Sequence, residues 1–406
     1  MLKPELVLPA GNLEKLKTAL MFGADAVYLG GKNFSLRAHA DNFSLHELDE
    51  GLKFAREINK KVYVTVNIYA HNKDLEKLPT YFEYLQYLDI DGVIISDPGV
   101  LRLAKKYAPK IPVTISTQAN ITNYESAQLY KELGASRIVL ARELNIKEIK
   151  QIKQKVDIEL EVFVHGAMCV SYSGRCLLSH FMTNRSANLG SCAHPCRYSY
   201  RVVEEKRPEE YYPIEEDDRG SYILNSKDLC LVEYVPNLIE AGVNSFKVEG
   251  RMKSPLYVAT VANVYAEAIN KYLNNKCAYT DQEVSYWINE LQTVATRPFT
   301  NGFIEGESEN IQDIKKGKEV PRTAFCGVVI GYDLNTKRIQ IQQRANFGLE
   351  ENIEILTPEG KTIPLIISKL YDEEDNLIER ARHPKQIVYI PYNEIIPNFS
   401  ILRRVE

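Results

Sequence analysis

Four cysteines, Cys169, Cys176, Cys192 and Cys196, fall within 28 residues at the spacing C-x6-C-x15-C-x3-C. Thiolates at that density can bind tetrahedral zinc or an iron–sulfur cluster. Structural zinc sites favour close C-x2–4-C pairs at both ends, and only the second pair here is close. The spacing therefore tilts towards iron–sulfur over zinc, with buried or redox-active thiols as the remaining reading. Gly166, Gly174 and Gly190 flank the cysteines and would let backbone wrap closely around a cluster. Arg175, Arg185 and Arg197 could balance its negative charge or be ordinary surface arginines. Cys230, Cys277 and Cys326 are scattered. Cys230 follows the run Asn225-Ser226-Lys227-Asp228-Leu229, which reads as the opening of a helix. A thiol buried on that helix is the expectation, and a ligand role the alternative.

The elements that must carry this segment follow from the alternation of short β-branched runs with amphipathic helical runs. Strands are expected at residues 5–8, 26–29, 61–67, 91–96, 112–117, 137–141, 158–164 and 245–249. Helical patterns follow from Asn12, a suitable N-cap, and near 45–58, 75–88, 100–107, 124–133, 146–156, 229–241 and 256–273. Eight β/α units predict a TIM (β/α)8 barrel over residues 1–275, close to the typical size of about 250 residues. A doubly wound sheet is the weaker alternative, because no GxGxxG follows the first strand. An insertion after strand seven, residues 166–227, holds the four cysteines and an acidic stretch at 204–218 that reads as a solvated hairpin tip. A helical connector over 276–319 leads to a small C-terminal β-barrel domain over 320–406. Its β-runs are expected at 325–332, 338–343, 353–356, 363–370 and 387–390. With 11 basic and 12 acidic residues, its average charge does not favour RNA.

In a TIM barrel the C-terminal strand ends form the active site. Read off the sequence, they supply Asn67, Asp97, Gln118, Arg142, His165, Glu249 and Arg251. Lys247 lies within strand eight, and Arg37 and Asn42 in the loop after strand two. Such a mouth, rich in cations and amides, suits an anionic small molecule, since arginine forks bind carboxylates bidentately. The bland alternative is that these residues are barrel-end hydrogen-bond partners. Other signatures are missing: His46-Glu47 lacks the second histidine of HExxH, and neither GxSxG nor a P-loop is present. His165 and Cys169, four apart, could pose as a thiol–imidazole pair, though clustered cysteines favour ligation.

Composition bounds the rest. Of 406 residues, 50 are basic and 54 acidic, a net charge of −4 that excludes a wholesale basic coat for nucleic acid but not a local basic site. No apolar run approaches 18 residues, so no membrane span is expected. The start lacks a signal-peptide core, and a reducing, cytoplasmic location is expected, where cysteines serve as thiols or ligands rather than disulfides.

The stretch EVFVHGAMCVSYSGRCLLS resembles the signature of the collagenase-like peptidase family U32, E-x-F-x-x-G-(S/A)-x-C-x4-G-x-C-x-x-S. Glu161, Phe163, Gly166, Ala167, Cys169, Gly174, Cys176 and Ser179 match it. The runs LPAGNLEKLKTALMFGADAVYLGG, STQAN and NSFKVEGRMKSP are similar too, so the resemblance covers nearly the whole chain. Despite the family name, it implies an oxygen-independent hydroxylase carrying a 4Fe–4S cluster and modifying tRNA, ribosomal RNA or a quinone precursor. RAHADN (residues 37–42) and NSKDL (residues 225–229) look most like the tRNA uridine branch. That branch forms 5-hydroxyuridine at the wobble position with prephenate as hydroxyl donor. The resemblance makes Cys169, Cys176, Cys192 and Cys196 the metal ligands, with Cys230 an alternative to Cys196. Prephenate, a dicarboxylate, would be gripped by Arg37, Arg142, Lys247 and Arg251. Asn67, Gln118 and Asn225 would hold uracil, and His165 and Glu249 complete the catalytic set. The implied partners are tRNA and a homologous subunit. A peptidase and a non-catalytic member of a hydroxylase complex are the competing readings.

Overall fold

The computed structural model describes residues 2–32, 34–35, 42–168, 178–183, 202–204, 207–212, 215–217, 220–222, 227–306 and 322–405. Strands β1 (Glu5–Pro9), β2 (Ala26–Gly30), β3 (Lys61–Val66), β4 (Gly92–Ile95), β5 (Val113–Ile115), β6 (Arg137–Val139) and β7 (Glu159–Ala167) pair in parallel in that order. They alternate with helices α1 (Leu13–Met21), α2 (Leu45–Glu57), α3 (Asn72–Leu75), α4 (Leu78–Tyr87), α5 (Pro98–Tyr107), α6 (Tyr124–Glu132) and α7 (Ile146–Lys155). Side chains stop the helices from fraying: Asn12, Asp97 and Asn123 each accept a backbone N–H of the first turn, and Ser44 and Asn145 form capping boxes with Glu47 and Glu148. The single helix expected at 75–88 is two, because Pro79 sits in the first turn of α4 and resets the start.

After β7 come α8 (Leu178–Thr183) and two short antiparallel pairs. These are β8 (Val202–Glu204) with β9 (Arg207–Tyr212), and β10 (Glu215–Asp217) with β11 (Gly220–Tyr222). The acidic stretch read as one hairpin tip thus lies in two ladders. Next come β12 (Asp228–Cys230), α9 (Val235–Glu240), β13 (Ser245–Val248) and α10 (Pro255–Asn275). Strand β13 pairs with both β1 and β7, which closes the eight-stranded barrel. Leu6, Leu8, Val27, Leu29, Val62, Val64, Phe246 and Val248 pack outward under the helices. Their alternates Val7, Ala26, Tyr28, Tyr63 and Ile94 form a separate cluster inside the barrel.

One element differs from expectation. Residues 228–230 are a strand, not the start of a helix: β12 pairs antiparallel with the end of β7, Asp228 opposite Ala167 and Cys230 opposite His165. Helix α9 starts only at Val235, where Pro236 presets the first turn. The connector holds α11 (Asp281–Thr293), capped by Thr280. It also holds β14 (Phe299–Thr300), which pairs with β12 and so joins the barrel sheet.

The C-terminal domain contains β15 (Thr323–Asp333), β16 (Arg338–Gln343), β17 (Phe347–Gly348), β18 (Asn352–Leu356), β19 (Thr362–Ile366), β20 (Arg380–Ala381), β21 (Ile387–Pro391) and β22 (Ile401–Val405). Six of them form an antiparallel half-barrel in the order β19-β18-β22-β15-β16-β21 around Cys326, Ile339, Ile341, Ile353, Ile355, Val388 and Leu402. Leu356 and Ile401 reach into the barrel's core, and Arg403 pairs with Glu290 of α11 and with Glu354. No helix among the described residues is long and apolar enough to cross a membrane.

Candidate active site at the barrel mouth

Polar side chains knit together the C-terminal ends of β3, β4 and β5. Asn67 Nδ2 donates to Gln118 Oε1 at 3.0 Å, Ser116 Oγ donates to the same oxygen at 3.2 Å, and Ser96 Oγ donates to the Asn67 carbonyl at 3.1 Å. Two residues picked by strand position alone, Asn67 and Gln118, are therefore in direct contact. Asp97 instead caps α5, accepting from Val100 N at 2.9 Å.

Arg251, 4% exposed, ties the end of β13 to the loop after β2. Its NH1 donates to Ser35 Oγ at 2.9 Å and its NH2 to Asn42 Oδ1 at 2.6 Å. Glycine at position 30 makes room for this: a Cβ there would lie closer than 3.0 Å to Ser35 Oγ and to the guanidinium. The Tyr28 hydroxyl reaches the Val248 carbonyl at 3.0 Å and a Glu249 carboxylate oxygen at 3.2 Å.

Arg142 follows β6 and is half-buried. Its guanidinium carbon stacks 4.0 Å from the centre of the Phe163 ring, and NH1 donates to the Ala167 carbonyl at 2.9 Å. Among the described residues its buried Nε has no hydrogen-bond partner. Lys247 is placed differently from a cation open to the mouth. It is 4% exposed, and its ammonium lies 2.6 Å from Glu161 Oε1 and 4.5 Å from the centre of the Tyr28 ring. A buried carboxylate on a neighbouring strand has claimed its charge.

His165 is 2% exposed, ringed by Tyr257, Tyr265 and Phe299 at centroid distances of 5.4–5.9 Å, with the Tyr265 hydroxyl 3.4 Å from Nδ1. Burial, helped by the Lys253 charge, pushes its pKa down to about 3. The unfolded chain binds that proton near 6.5, so the fold loses stability as pH falls from about 6.5 towards 3. His165→Phe, which suits the aromatic cage, is expected to flatten the acid side of the stability curve. Urea unfolding at about pH 7 and pH 5 measures the slope; an unchanged slope would mean that the folded imidazole takes up the proton. Opposite it on β12, Cys230 is buried and its thiol is pushed up to about 12 by burial. It is a strand-buried thiol, not the helix-buried one expected. The buried Asp228 carboxylate, 3.7 Å from Lys253 Nζ and 3.8 Å from Arg297 NH1, anchors the start of the same strand.

Arg37, Asn225, Cys169, Cys176, Cys192 and Cys196 lie outside the described residues. The chain enters the cysteine segment from β7, whose end carries Ala167 and the buried Met168, so that segment departs from the C-terminal end of the barrel. Among the described residues no group of three or more His, Cys, Asp or Glu side chains could hold a metal ion. Strand-end reasoning missed Tyr28, which acts from within β2, Ser35 in the loop that follows it, and Ser96 and Ser116, which directly follow β4 and β5. The Gly30-Gly31 pair at a strand end was a readable sign of close approach.

A closed parallel barrel with a polar, cation-bearing mouth and a four-thiol segment leaving that mouth defines a TIM-barrel protein built for chemistry at its C-terminal face. The chain belongs to peptidase family U32: the family's sequence model matches residues 11–314, and that of the family's C-terminal domain matches residues 321–403. It is 40% identical over 404 residues to the tRNA hydroxylation protein P1 of Bacillus subtilis, covering 99% of this chain and 95% of that one. It is 36% identical over 337 residues to the 23S rRNA 5-hydroxycytidine C2501 synthase of Escherichia coli, covering 80% of this chain and 48% of that one. It is also 34% identical over 315 residues to a collagenase of Porphyromonas gingivalis, covering 75% and 74%.

Proposed function

We propose that this chain is an RNA-modifying hydroxylase of the cytoplasm that forms 5-hydroxyuridine at the wobble position of tRNA, with prephenate as hydroxyl donor. The observation that carries this reading is the 40% identity, across 99% of the chain, to a protein named for tRNA hydroxylation. Four thiols in a segment leaving the barrel mouth are a donor set that fits a 4Fe–4S cluster. Cys169, Cys176, Cys192 and Cys196 would hold it, and it would supply iron as a Lewis acid or electron carrier.

The protein's own residues bind and orient. Arg142 is the cation best placed for a donor carboxylate, because its guanidinium is stacked, preorganised and has no carboxylate partner among the described residues. Arg251 is committed to Ser35 and Asn42 and shapes the loop after β2, and Lys247 is committed to Glu161. With Gln118 Oε1 accepting from Asn67 and Ser116, its Nε2 is the group left to donate to a uracil carbonyl.

A peptidase is the second reading, favoured by the collagenase relative. The described thiol and imidazole nearest each other in register, Cys230 and His165, oppose it. One is pushed up to about 12 and the other down to about 3, the reverse of a thiolate–imidazolium pair.

The test has three arms. Anaerobic purification should give about four iron per chain. Loss of the protein from cells should remove 5-hydroxyuridine-derived nucleosides from tRNA, read by mass spectrometry. Arg142→Ala should keep the iron and raise the KM for prephenate by roughly ten- to a hundredfold, the value of a charged hydrogen bond. A zinc-only protein or unchanged tRNA nucleosides would sink the reading, and an unchanged KM would remove Arg142 from the donor site.

A further inference from the structure

We propose that one end of the C-terminal domain is a phosphate-binding surface for the RNA strand flanking the modified base. It rests on the RNA reading above and adds where the backbone is held. The domain is close to neutral in total, but its charge is segregated.

Most of its arginines already have a carboxylate partner. Arg338 pairs with Asp375, Arg380 and Arg404 with Glu351, Arg403 with Glu290 and Glu354, and Arg344 with Glu14 of the barrel. The turn between β20 and β21 is different. Arg382, His383 and Lys385 are all exposed there, and neither Arg382 nor Lys385 has a carboxylate partner among the described residues. The turn is also preorganised. Gln386 Oε1 accepts from Arg382 N at 3.2 Å and His383 N at 3.3 Å, Gln386 N donates to the His383 carbonyl at 3.0 Å, and Lys385 N donates to the Gln343 carbonyl at 3.2 Å. A fixed turn presenting cations loses little conformational entropy on binding an anion.

Strand β16 separates this turn from an acidic one. At its Gln343 end lie Lys385 and Gln386; at its Arg338 end, Arg338 holds Asp375 of the turn Asp372-Glu373-Glu374-Asp375. Six residues of strand place the two turns roughly 17 Å apart. The remaining nearby carboxylates, Glu350 and Glu379, lie past the Gly348–Arg380 end of the short β17–β20 ladder, away from Arg382.

The basic end is the one beside the barrel mouth. Arg344, directly after Gln343, bonds Glu14 in the first turn of α1, which begins at the C-terminal end of β1. Lys15 of the same turn reaches the Arg251 carbonyl at 3.4 Å. A stem-loop whose base enters the mouth would carry its flanking phosphates past the Arg382–Lys385 turn and away from the acidic turn. Lysine and arginine contacts of this kind position a nucleic acid without reading its sequence.

The test uses the full chain, purified anaerobically, with unmodified tRNA as the probe and binding followed across a salt series. The double variant Arg382→Gln/Lys385→Gln should bind roughly tenfold more weakly and flatten the plot of log affinity against log salt by about one for each lost phosphate contact. Both positions are exposed, so the thermal midpoint should stay where it is. Glu373→Gln/Glu374→Gln, at the opposite end, should bind at least as tightly as the wild type. A wild type that binds tRNA and a basic-turn variant that matches it in affinity and salt slope would overturn the surface while leaving the RNA reading intact. A wild type that binds no RNA even at low salt would overturn both.

Discussion

Replacing Glu161 by alanine is expected to destabilise the barrel by about 3–5 kcal/mol, the usual cost of leaving a buried charge without its partner. Glu161 is 1% exposed, and its carboxylate is contacted by Lys247 Nζ at 2.6 Å, Ser245 Oγ at 2.8 Å and Arg137 NH1 at 3.2 Å. Burial alone would raise its pKa, but the two cations and the hydrogen bonds from Lys247 and Ser245 outweigh it and hold the carboxyl below its ordinary value. Arg137 keeps Glu5 and Glu159 when Glu161 is lost. Lys247 keeps no carboxylate among the described residues, so most of the cost falls on its ammonium. Adding Lys247→Met to Glu161→Ala should therefore recover a large part of the loss. Urea unfolding of the three variants measures both effects. A loss below about 1 kcal/mol in the single variant would show that water reaches the lysine and relieves it.

Gly166→Ala should be nearly as damaging, at about 3 kcal/mol, and should act at the site itself. Gly166 has φ +103°, a conformation that side chains rarely adopt, and an added Cβ would lie closer than 3.0 Å to the Glu249 carbonyl oxygen. That neighbour is backbone, so it cannot swing aside. Relief requires β7 to separate from β13 where Glu249 N donates to the His165 carbonyl at 2.9 Å. The segment after Ala167 would leave the barrel in a different direction, and activity should fall with stability. Hydrogen exchange is the sharper readout: amides of β7, β12 and the end of β13 should lose protection while those of β2–β5 keep it. Uniform protection would show that the strand accommodates the methyl group without parting.

The eight barrel strands could be read from the chain because each β-branched run has an amphipathic helical run beside it, most of them opened by a capping side chain. The split at Pro79 has a local cause, and the other misreadings come from pairing between distant residues. Residues 228–241 carry a helix-like apolar spacing, yet Asp228–Cys230 is captured by the end of β7, and only the register of that pairing reveals it. Lys247 looks like a site cation until Glu161, 86 positions earlier, is seen against it. The central strand β22 escaped notice because Ile401–Val405 contains two adjacent arginines. Arg403 is buried all the same, since Glu290 and Glu354 meet it from two other elements. At the mouth, Asn67 and Gln118 were readable from strand position, whereas Arg251's role depends on Ser35 and Asn42 in a loop more than 200 residues earlier.

The pairing of β12 with β7 also sets how this chain can change length. Ala167 and Asp228 are register partners, so residues 168–227 leave the barrel and return to it at neighbouring positions, with β14 bracing the return strand. For a loop whose ends are already pinned, doubling the length costs only about 0.6 kcal/mol in closure entropy. Descendants of this protein could lengthen, shorten or replace the two acidic ladders between β8 and β11 with little thermodynamic consequence for the barrel. The same would not hold for one residue added inside β7, where a shift of register would turn Glu161 away from Lys247.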